Sequence, residues 1–170
     1  MILYIIPMIF TLMGGVNQQL IDKSTIDNFA LDRYLGTWYE IARFDNRFER
    51  NLDYATASYT MLPSGKIEVI NRGFNTHTKQ WHESDGVAKL TSQSGALKVS
   101  FFLWFYSDYL VLEVGNDYSW ALVGSSSDDM LWILSRESSL PAQTLEYIIS
   151  LAQERGYQTD MFIFPKQQKN

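Results

Sequence analysis

The feature that most constrains the fold is a succession of eight short apolar stretches, joined by brief polar segments, between Thr37 and Ser135. Each stretch is rich in β-branched and aromatic residues, and most alternate apolar with polar positions, which is typical of strands. Eight strands at near-regular spacing predict a closed up-and-down antiparallel barrel or a sandwich. The predicted strands are Thr37–Phe44, Ala55–Leu62, Ile67–Phe74, Trp81–Leu90, Leu97–Phe102, Tyr109–Val114, Trp120–Gly124 and Leu131–Ser135.

The hydrophobic period changes after the eighth strand. Ser139 is a candidate helix cap, apolar residues then recur at helical spacing, and Gly156 ends the run. One amphipathic helix is predicted from Pro141 to Arg155, and its apolar stripe can pack on the outside of the barrel. A last short strand is predicted from Gln158 to Phe164. The expected fold is therefore all-β, an eight-stranded barrel with one C-terminal α-helix packed outside.

The N-terminal 16 residues are treated apart from the barrel. Ile2 to Met13 is apolar apart from Thr11, and it is shorter than the roughly 20 residues of a membrane-spanning helix. It fits the apolar region of an export signal, with an apolar segment packed on the fold as the alternative. The predicted division of the chain is an export signal or apolar segment over 1–16, a polar leader over 17–28, the barrel domain over 29–165 and a polar tail over 166–170.

Composition argues against several classes of function. The 170 residues contain no Cys, which removes disulfides, thiolate nucleophiles and thiolate metal ligands. A net charge of -5 without a basic cluster argues against nucleic-acid binding. The two histidines, His77 and His82, do not make a metal site without a third patterned ligand. Catalytic triads and phosphate-binding glycine loops are not evident either. We expect no metal, no cofactor and no nucleic-acid partner.

One end of the predicted barrel collects three residues that can close it. In an up-and-down barrel the start of the first strand and the end of the eighth lie at the same end. That topology brings Gly36, Trp38 and Arg136 together. Trp38 is expected to fill the barrel floor, Arg136 to stack on the indole face, and Gly36 to allow their close approach.

These residues resemble the motifs of the lipocalin family. The segment Gly36 to Trp38 is similar to the family's Gly-x-Trp motif, and Arg136 to its arginine after the eighth strand. The family's Thr-Asp-Tyr turn motif is altered here, over Gly115 to Tyr118. Stretches such as "GTWYEIARF", "VINRGFN" and "LWILSR" keep the family order from Phe29 to Pro165. They are most similar to the bacterial outer-membrane and apolipoprotein D-like branch of the family.

The resemblance implies a barrel that is open at one end and binds a small apolar ligand. In the bacterial branch the implied ligand is a fatty acid or lysophospholipid, with a role in cell-envelope lipid handling. Members of that branch are often tethered through an acylated Cys after the signal, where this sequence has Gly15. We therefore expect an exported protein of the periplasm or cell envelope that is not Cys-acylated.

Alternation along each strand predicts which side chains face the ligand. Taking Trp38 as inward-facing fixes the phase of the first strand. By resemblance, the family's pocket positions include a Tyr, an Asn and a Trp that match Tyr59, Asn71 and Trp132. A simple packed core is the alternative for any single residue. The predicted ligand-binding set is Glu40, Ala42, Phe44, Ala57, Tyr59, Met61, Val69, Asn71, Leu110, Leu112, Trp132 and Leu134.

Two features leave other functions open. Glu40 is a candidate acid or base for a lipid- or pigment-modifying enzyme, although a structural role is more usual for a buried carboxylate and we expect no enzyme activity. The residues Leu103, Trp104, Phe105 and Tyr106 are expected in a loop at the open mouth. An exposed apolar patch there indicates a ligand entrance, a peripheral membrane contact or a protein partner, including a homodimer.

Overall fold

The computed structural model describes residues 20–102 and 105–167. Within these residues nine strands form one antiparallel sheet, which closes on itself because β1 pairs with both β2 and β8. The strands are β1 (Gly36–Phe44), β2 (Leu52–Met61), β3 (Ile67–Asn75), β4 (Gln80–Leu90), β5 (Ala96–Phe102), β6 (Phe105–Val114), β7 (Trp120–Gly124), β8 (Leu131–Ser135) and β9 (Phe162–Ile163). The helices are α1 (Leu31–Tyr34) and α2 (Ala142–Glu154), with a 3-10 turn over Thr159–Met161.

The predicted up-and-down barrel is confirmed, because β2 to β8 pair in chain order and β1 closes the sheet. The differences lie at the element ends. β2 begins at Leu52 rather than Ala55, and β6 begins at Phe105 rather than Tyr109. The predicted last strand is mostly a 3-10 turn, and only Phe162 and Ile163 pair with β1.

Two apolar clusters lie on opposite sides of the barrel wall. Alternation within a strand sends successive side chains to the two faces, so the same strands supply both clusters. The inner cluster fills the closed end of the barrel and contains Trp38, Tyr59, Val69, Val111 and Leu134 among others. The outer cluster joins the barrel to α2 and contains Leu122, Ile133, Ile148 and Ala152 among others. The helix is thus packed outside, as predicted.

A β-bulge in β1 decides which of its residues face inward. The register with β8 shifts between Glu40 and Ala42, and an extra residue in one strand reverses the alternation beyond it. Ala42 and Phe44 therefore belong to the outer cluster, while Arg43 lies opposite the inward-facing Trp132. The prediction that Ala42 and Phe44 line the interior is wrong, because simple alternation does not account for the bulge.

A second bulge lies in β6, between Val111 and Glu113. The bulge allows Val111 to face inward while Glu113 faces outward. Glu113 accepts a hydrogen bond there from Arg155, at the end of α2. Leu110 and Leu112 consequently pack in the outer cluster. Their predicted inward orientation is wrong, and Tyr109, which the alternation placed outside, packs against the inner cluster.

Residues 20–28 of the predicted leader lie against the barrel. The amide of Ile26 donates to the carbonyl of Val111 at 3.1 Å. Arg155, directly after α2, donates to the carbonyl of Ser24 at 2.9 Å and to the carboxylate of Glu113 at 2.7 Å. The Arg155 guanidinium thus connects the leader and the end of α2 to the bulged strand β6. The predicted segment 1–16 lies outside the described residues, and in the described ranges neither helix has the length and apolarity needed to cross a bilayer.

The beginning of the predicted polar tail is part of the barrel wall. Lys166 accepts a hydrogen bond at its carbonyl from the amide of Tyr54, at 2.6 Å. The Gln167 amide group donates to the carbonyls of Glu40 and Ala55 at 2.7 and 3.0 Å. These two carbonyls belong to β1 and β2 beyond the point where their own pairing ends. Residues 166 and 167 therefore bridge the gap between the two strands.

The closed end is held by Arg136 and Trp38. The guanidinium carbon of Arg136 lies 3.7 Å from the centre of the Trp38 ring, and Trp38 is fully buried. The same guanidinium donates to the carbonyls of Arg33, Leu35 and Thr37 at 2.7, 2.9 and 2.9 Å. Arg136 thus ties the segment around α1 and the start of β1 to the end of β8.

Gly36 has a specific role at this end. Its φ of 97° lies in the left-handed region that favours glycine. A Cβ at this position would also lie 3.4 Å from a terminal nitrogen of Arg136. That distance is an ordinary van der Waals contact, so the backbone conformation is what favours glycine.

Replacing Arg136 by Met should lower the free energy of unfolding by about 2–4 kcal/mol, because it removes charge-assisted hydrogen bonds and the cation over Trp38. Arg33→Met is the matched control. It removes one carbonyl bond and a stacking contact with Tyr118, and it should cost about 1 kcal/mol or less. Urea unfolding followed by tryptophan fluorescence measures both. Equal losses would contradict the particular role of Arg136.

Candidate functional site

The candidate site is the inner face of the barrel above Trp38. Residues directly opposite each other in paired strands share a face, and Trp38, Ala57, Asn71 and Ser84 form one such row. Trp38 is fully buried, Ala57 and Asn71 are half-buried, and Ser84 is exposed. Accessibility therefore increases along this row, from Trp38 in the first strand to Ser84 in the fourth.

The structure brings together most, but not all, of the predicted ligand-binding residues. Four of them, Ala42, Phe44, Leu110 and Leu112, lie in the outer cluster as described above. Met61 is 43% exposed at the end of β2 and is not part of the buried interior. The inward-facing members are Glu40, Ala57, Tyr59, Val69, Asn71, Trp132 and Leu134. That these seven contact a ligand stays a prediction.

A buried charged cluster lies on the mouth side of this face. Arg43, only 2% exposed, forms an ion pair with the buried carboxylate of Glu40 and donates to the Glu49 carbonyl at 2.8 Å. The indole nitrogen of Trp132 donates to the Glu49 carboxylate at 2.8 Å, and the Asn46 amide donates to the same carboxylate at 2.6 Å. Glu40 and Arg43 are thus buried as an ion pair, and the partly exposed Glu49 carboxylate lies beside them.

Burial and the neighbouring Glu49 carboxyl perturb the ionisation of Glu40. Burial raises the pKa of the Glu40 carboxyl well above its ordinary value, and the neighbouring Glu49 adds to the rise. Arg43 acts in the opposite direction without compensating for both effects. Glu40 is thus poised to take up a proton more readily than an exposed glutamate.

Three tyrosines meet at the centre of the barrel. The hydroxyl of Tyr59 donates to the Tyr109 hydroxyl at 2.8 Å, and the Tyr34 and Tyr109 hydroxyls are hydrogen-bonded at 2.6 Å. Their ring centroids lie 5.6 to 6.4 Å apart, and Tyr34 packs on Trp38 at 4.9 Å. We call these residues the tyrosine triad. Burial raises the pKa of all three hydroxyls, so they stay protonated at neutral pH.

The mouth of the barrel has an aromatic rim. Leu103 and Trp104 of the predicted apolar loop lie outside the described residues. Phe105 and Tyr106 are strand residues of β6, so their placement in a loop is wrong and the hairpin is tighter than expected. The rim consists of large side chains that are 44% to 70% exposed at the open end, namely Phe48, Trp81, Phe101, Phe105 and Phe164.

Cations accompany the aromatic side chains near this rim. The Arg47 guanidinium lies 4.7 Å from the Phe48 ring centre, and that of Arg72 lies 4.4 Å from the Trp81 ring centre. The Lys89 ammonium lies 4.4 Å from the ring centre of Tyr106. The open end therefore combines exposed aromatic surface with positive charge, in a chain whose net charge is -5.

The sequence analysis did not identify Tyr34, Asn46 and Glu49, which lie outside the strands, nor the two strand residues Arg43 and Tyr109. Both follow from the bulges, which put Arg43 and Tyr109 on the inner face against simple alternation. The sequence of β6 gave a partial indication of its bulge. Apolar residues occupy both the odd and the even positions of this strand, while Glu113 is expected to face outward. A bulge reconciles these demands, but its position is not encoded in the period.

A family model described as "Lipocalin-like domain" matches residues 29–167. Outer membrane lipoprotein Blc of Escherichia coli (strain K12) is 42% identical over 146 residues, covering 85% of this chain and 82% of that protein. Apolipoprotein D of Bos taurus is 31% identical over 131 residues, covering 72% of this chain and 68% of that protein.

Solved structures agree on the fold. Insecticyanin from the tobacco hornworm Manduca sexta matches with a TM-score of 0.72 at 18% identity, covering 89% of this chain and 87% of that chain. At this identity the likeness shows the barrel architecture alone.

The bacterial relatives contradict the predicted localisation. The proteins of Escherichia coli and Vibrio cholerae are both named outer membrane lipoproteins, a class anchored through an acylated Cys. The expectation of an exported protein that is not Cys-acylated conflicts with this finding and is wrong as stated. It rested only on the absence of Cys from the sequence.

Glu40→Gln should flatten the pH dependence of stability. A carboxyl whose folded-state pKa is raised stabilises the fold fully below its unfolded value of 4.5, and this contribution is lost as pH rises through the folded value. The unfolding free energy of the wild type should therefore fall, relative to that of E40Q, as pH rises from about 4.5 towards neutrality. Urea unfolding at a series of pH values measures this. The exposed Glu83→Gln should follow the wild type, and parallel curves for all three proteins would contradict the raised pKa.

Proposed function

The chain belongs to the lipocalin family, and from that premise we propose that its barrel carries a fatty acid or a lysophospholipid in cell-envelope lipid handling. Family membership supports binding of a small hydrophobic ligand in general terms. The single observation that carries the finer proposal is the inner face itself, which is apolar and buried at the closed end and more exposed at Asn71 and Ser84. This gradient fits an amphiphile whose hydrocarbon chain enters first.

The energetics are sufficient for such a ligand. Each methylene transferred from water to an apolar site contributes about 0.8 kcal/mol. Ten buried methylenes would contribute about 8 kcal/mol, which is the size of a micromolar dissociation constant. Association costs reduce this figure, and a longer chain or a hydrogen-bonded headgroup offsets them.

The charged cluster at the mouth side favours a headgroup that contains a cation. Arg43 forms its ion pair with Glu40, and the Glu49 carboxylate accepts hydrogen bonds from Trp132 and Asn46 instead. A free fatty-acid carboxylate placed beside Glu49 would be repelled, whereas an ethanolamine or choline group would be attracted. Between the two ligand classes, a lysophospholipid fits this cluster better.

The alternative functions have weaker support. An enzyme that used Glu40 would need a carboxyl able to reach substrate, but Glu40 is 5% exposed and already engaged by Arg43. The ion pair favours a structural role. The aromatic rim supports a contact with a lipid surface, because aromatic side chains with adjacent Arg and Lys are typical of the membrane interface. A rim resting on lipid would also place the mouth where an amphiphile can enter.

Ala57→Trp should weaken binding of a dansyl-labelled fatty acid by at least about tenfold, because the indole would fill the space beside Trp38 and Asn71. Thr60→Trp is the matched control, since Thr60 is exposed on the outer face of the same strand. Fluorescence titration measures both dissociation constants. Unchanged binding by A57W would place the ligand outside the barrel.

The double substitution Phe48→Ser and Phe105→Ser should reduce co-sedimentation with phosphatidylethanolamine and phosphatidylglycerol vesicles by at least about tenfold, since each Phe contributes apolar burial. The control is Met61→Ser with Leu90→Ser, which removes exposed apolar side chains at the opposite end of the barrel. Equal losses for the two pairs, or no loss for the rim pair, would exclude the rim as the lipid contact.

A further inference from the structure

The tyrosine triad has one hydroxyl proton more than its own hydrogen bonds use. Three hydroxyls carry three protons, and the contacts among Tyr34, Tyr59 and Tyr109 consume two. Among the described residues, the hydrogen bonds of these three hydroxyls run only to one another. The third proton therefore needs an acceptor from outside the triad.

The surroundings of the three hydroxyls indicate which proton this is. Tyr59 donates to Tyr109, so the choice lies between Tyr34 and Tyr109. Tyr34 is 1% exposed and enclosed by the rings of Phe29, Trp38 and Tyr59. A free O–H there would be buried without an acceptor, which is unfavourable. The favoured arrangement has Tyr34 and Tyr59 both donating to Tyr109.

Tyr109 is the member of the triad that can use a free proton. It is half-buried and packs against the inner cluster, whereas Tyr34 is almost completely buried. A hydroxyl that accepts two hydrogen bonds becomes a stronger donor in the third, because the bonds polarise one another. The raised pKa of Tyr109 keeps its proton in place at neutral pH.

We propose that the Tyr109 hydroxyl donates a hydrogen bond to the acyl carbonyl oxygen of the bound amphiphile. The inference rests on the proposed function and specifies the ligand further. The ester carbonyl lies at Tyr109, and the headgroup lies on its mouth side, beside Glu49 and Arg43. Tyr109 thus selects acyl esters over ligands of the same length that lack a carbonyl group.

Two lysophosphatidylcholines of equal chain length test this selection, one with a palmitoyl ester and one with a hexadecyl ether. Isothermal titration calorimetry gives the dissociation constant of each for the wild type, Tyr109→Phe and Tyr34→Phe. The wild type should bind the ester about fivefold more tightly than the ether, the size of one net hydrogen bond. In Y109F the ester should lose about fivefold in affinity and the ether should be unaffected.

Tyr34→Phe is the matched control, because it removes one hydrogen bond from the triad and leaves the Tyr109 donor in place. It should keep the preference for the ester. Loss of the preference in Y34F with retention in Y109F would overturn the assignment of the donor. An equal ester preference in the wild type and Y109F would overturn the hydrogen bond. Failure of the wild type to bind either lipid would refute the proposed function as well, and so is distinguishable from failure of the inference alone.

Discussion

Closure of the sheet is the constraint on which the rest of the structure depends. Once β1 pairs with both β2 and β8, every strand must divide its side chains between a confined interior and an outer face covered partly by α2. Strands cannot slide to relieve crowding of the interior side chains, because a register shift of one residue would exchange the inward-facing and outward-facing residues. The Arg136 guanidinium over Trp38 fixes this arrangement at the closed end, and the Gln167 amide bridges β1 and β2 towards the mouth.

The polar groups of the interior are arranged in layers. Apolar side chains and Trp38 occupy the floor, the tyrosine triad lies above them, and the cluster of Glu40, Arg43 and Glu49 lies on the mouth side. Each layer satisfies most of its own hydrogen bonds, so the barrel keeps its shape without a ligand. The charged cluster has one carboxyl group more than its ion pair uses, and the tyrosine triad has one hydroxyl proton more than its own hydrogen bonds use. A ligand can bind by supplying partners for these two groups. An amphiphile with a cation, an ester and a hydrocarbon chain in that order matches the sequence of layers.

The fold could be predicted from the sequence because it rests on periodic signals. Eight alternating stretches, a helical stretch with Pro141 near its start, and the pairing of Trp38 with Arg136 are all visible as patterns. The site could be predicted only in part. Tyr59, Asn71 and Trp132 were placed correctly because no register shift lies between Thr56 and Tyr59, in β3 as far as Asn71, or in the pairing of β8 with β7. Ala42, Phe44, Leu110 and Leu112 were misplaced because a single extra residue in β1 and in β6 reverses the faces. Such a bulge is set by tertiary packing, here by the outward Glu113 meeting Arg155 and the inward Arg43 meeting Glu40.

The central claim is that one amphiphile lies inside the barrel with its hydrocarbon end near Trp38 and its headgroup near Trp132. Paramagnetic broadening of the tryptophan indole N–H signals tests it most directly, with lysophosphatidylcholine that carries a nitroxide at the end of its acyl chain or close to its ester. We predict that the first label broadens Trp38 more strongly than Trp132 and that the second label reverses this order. The same order with both labels, or no broadening of Trp38 with the terminal label, would contradict the claim.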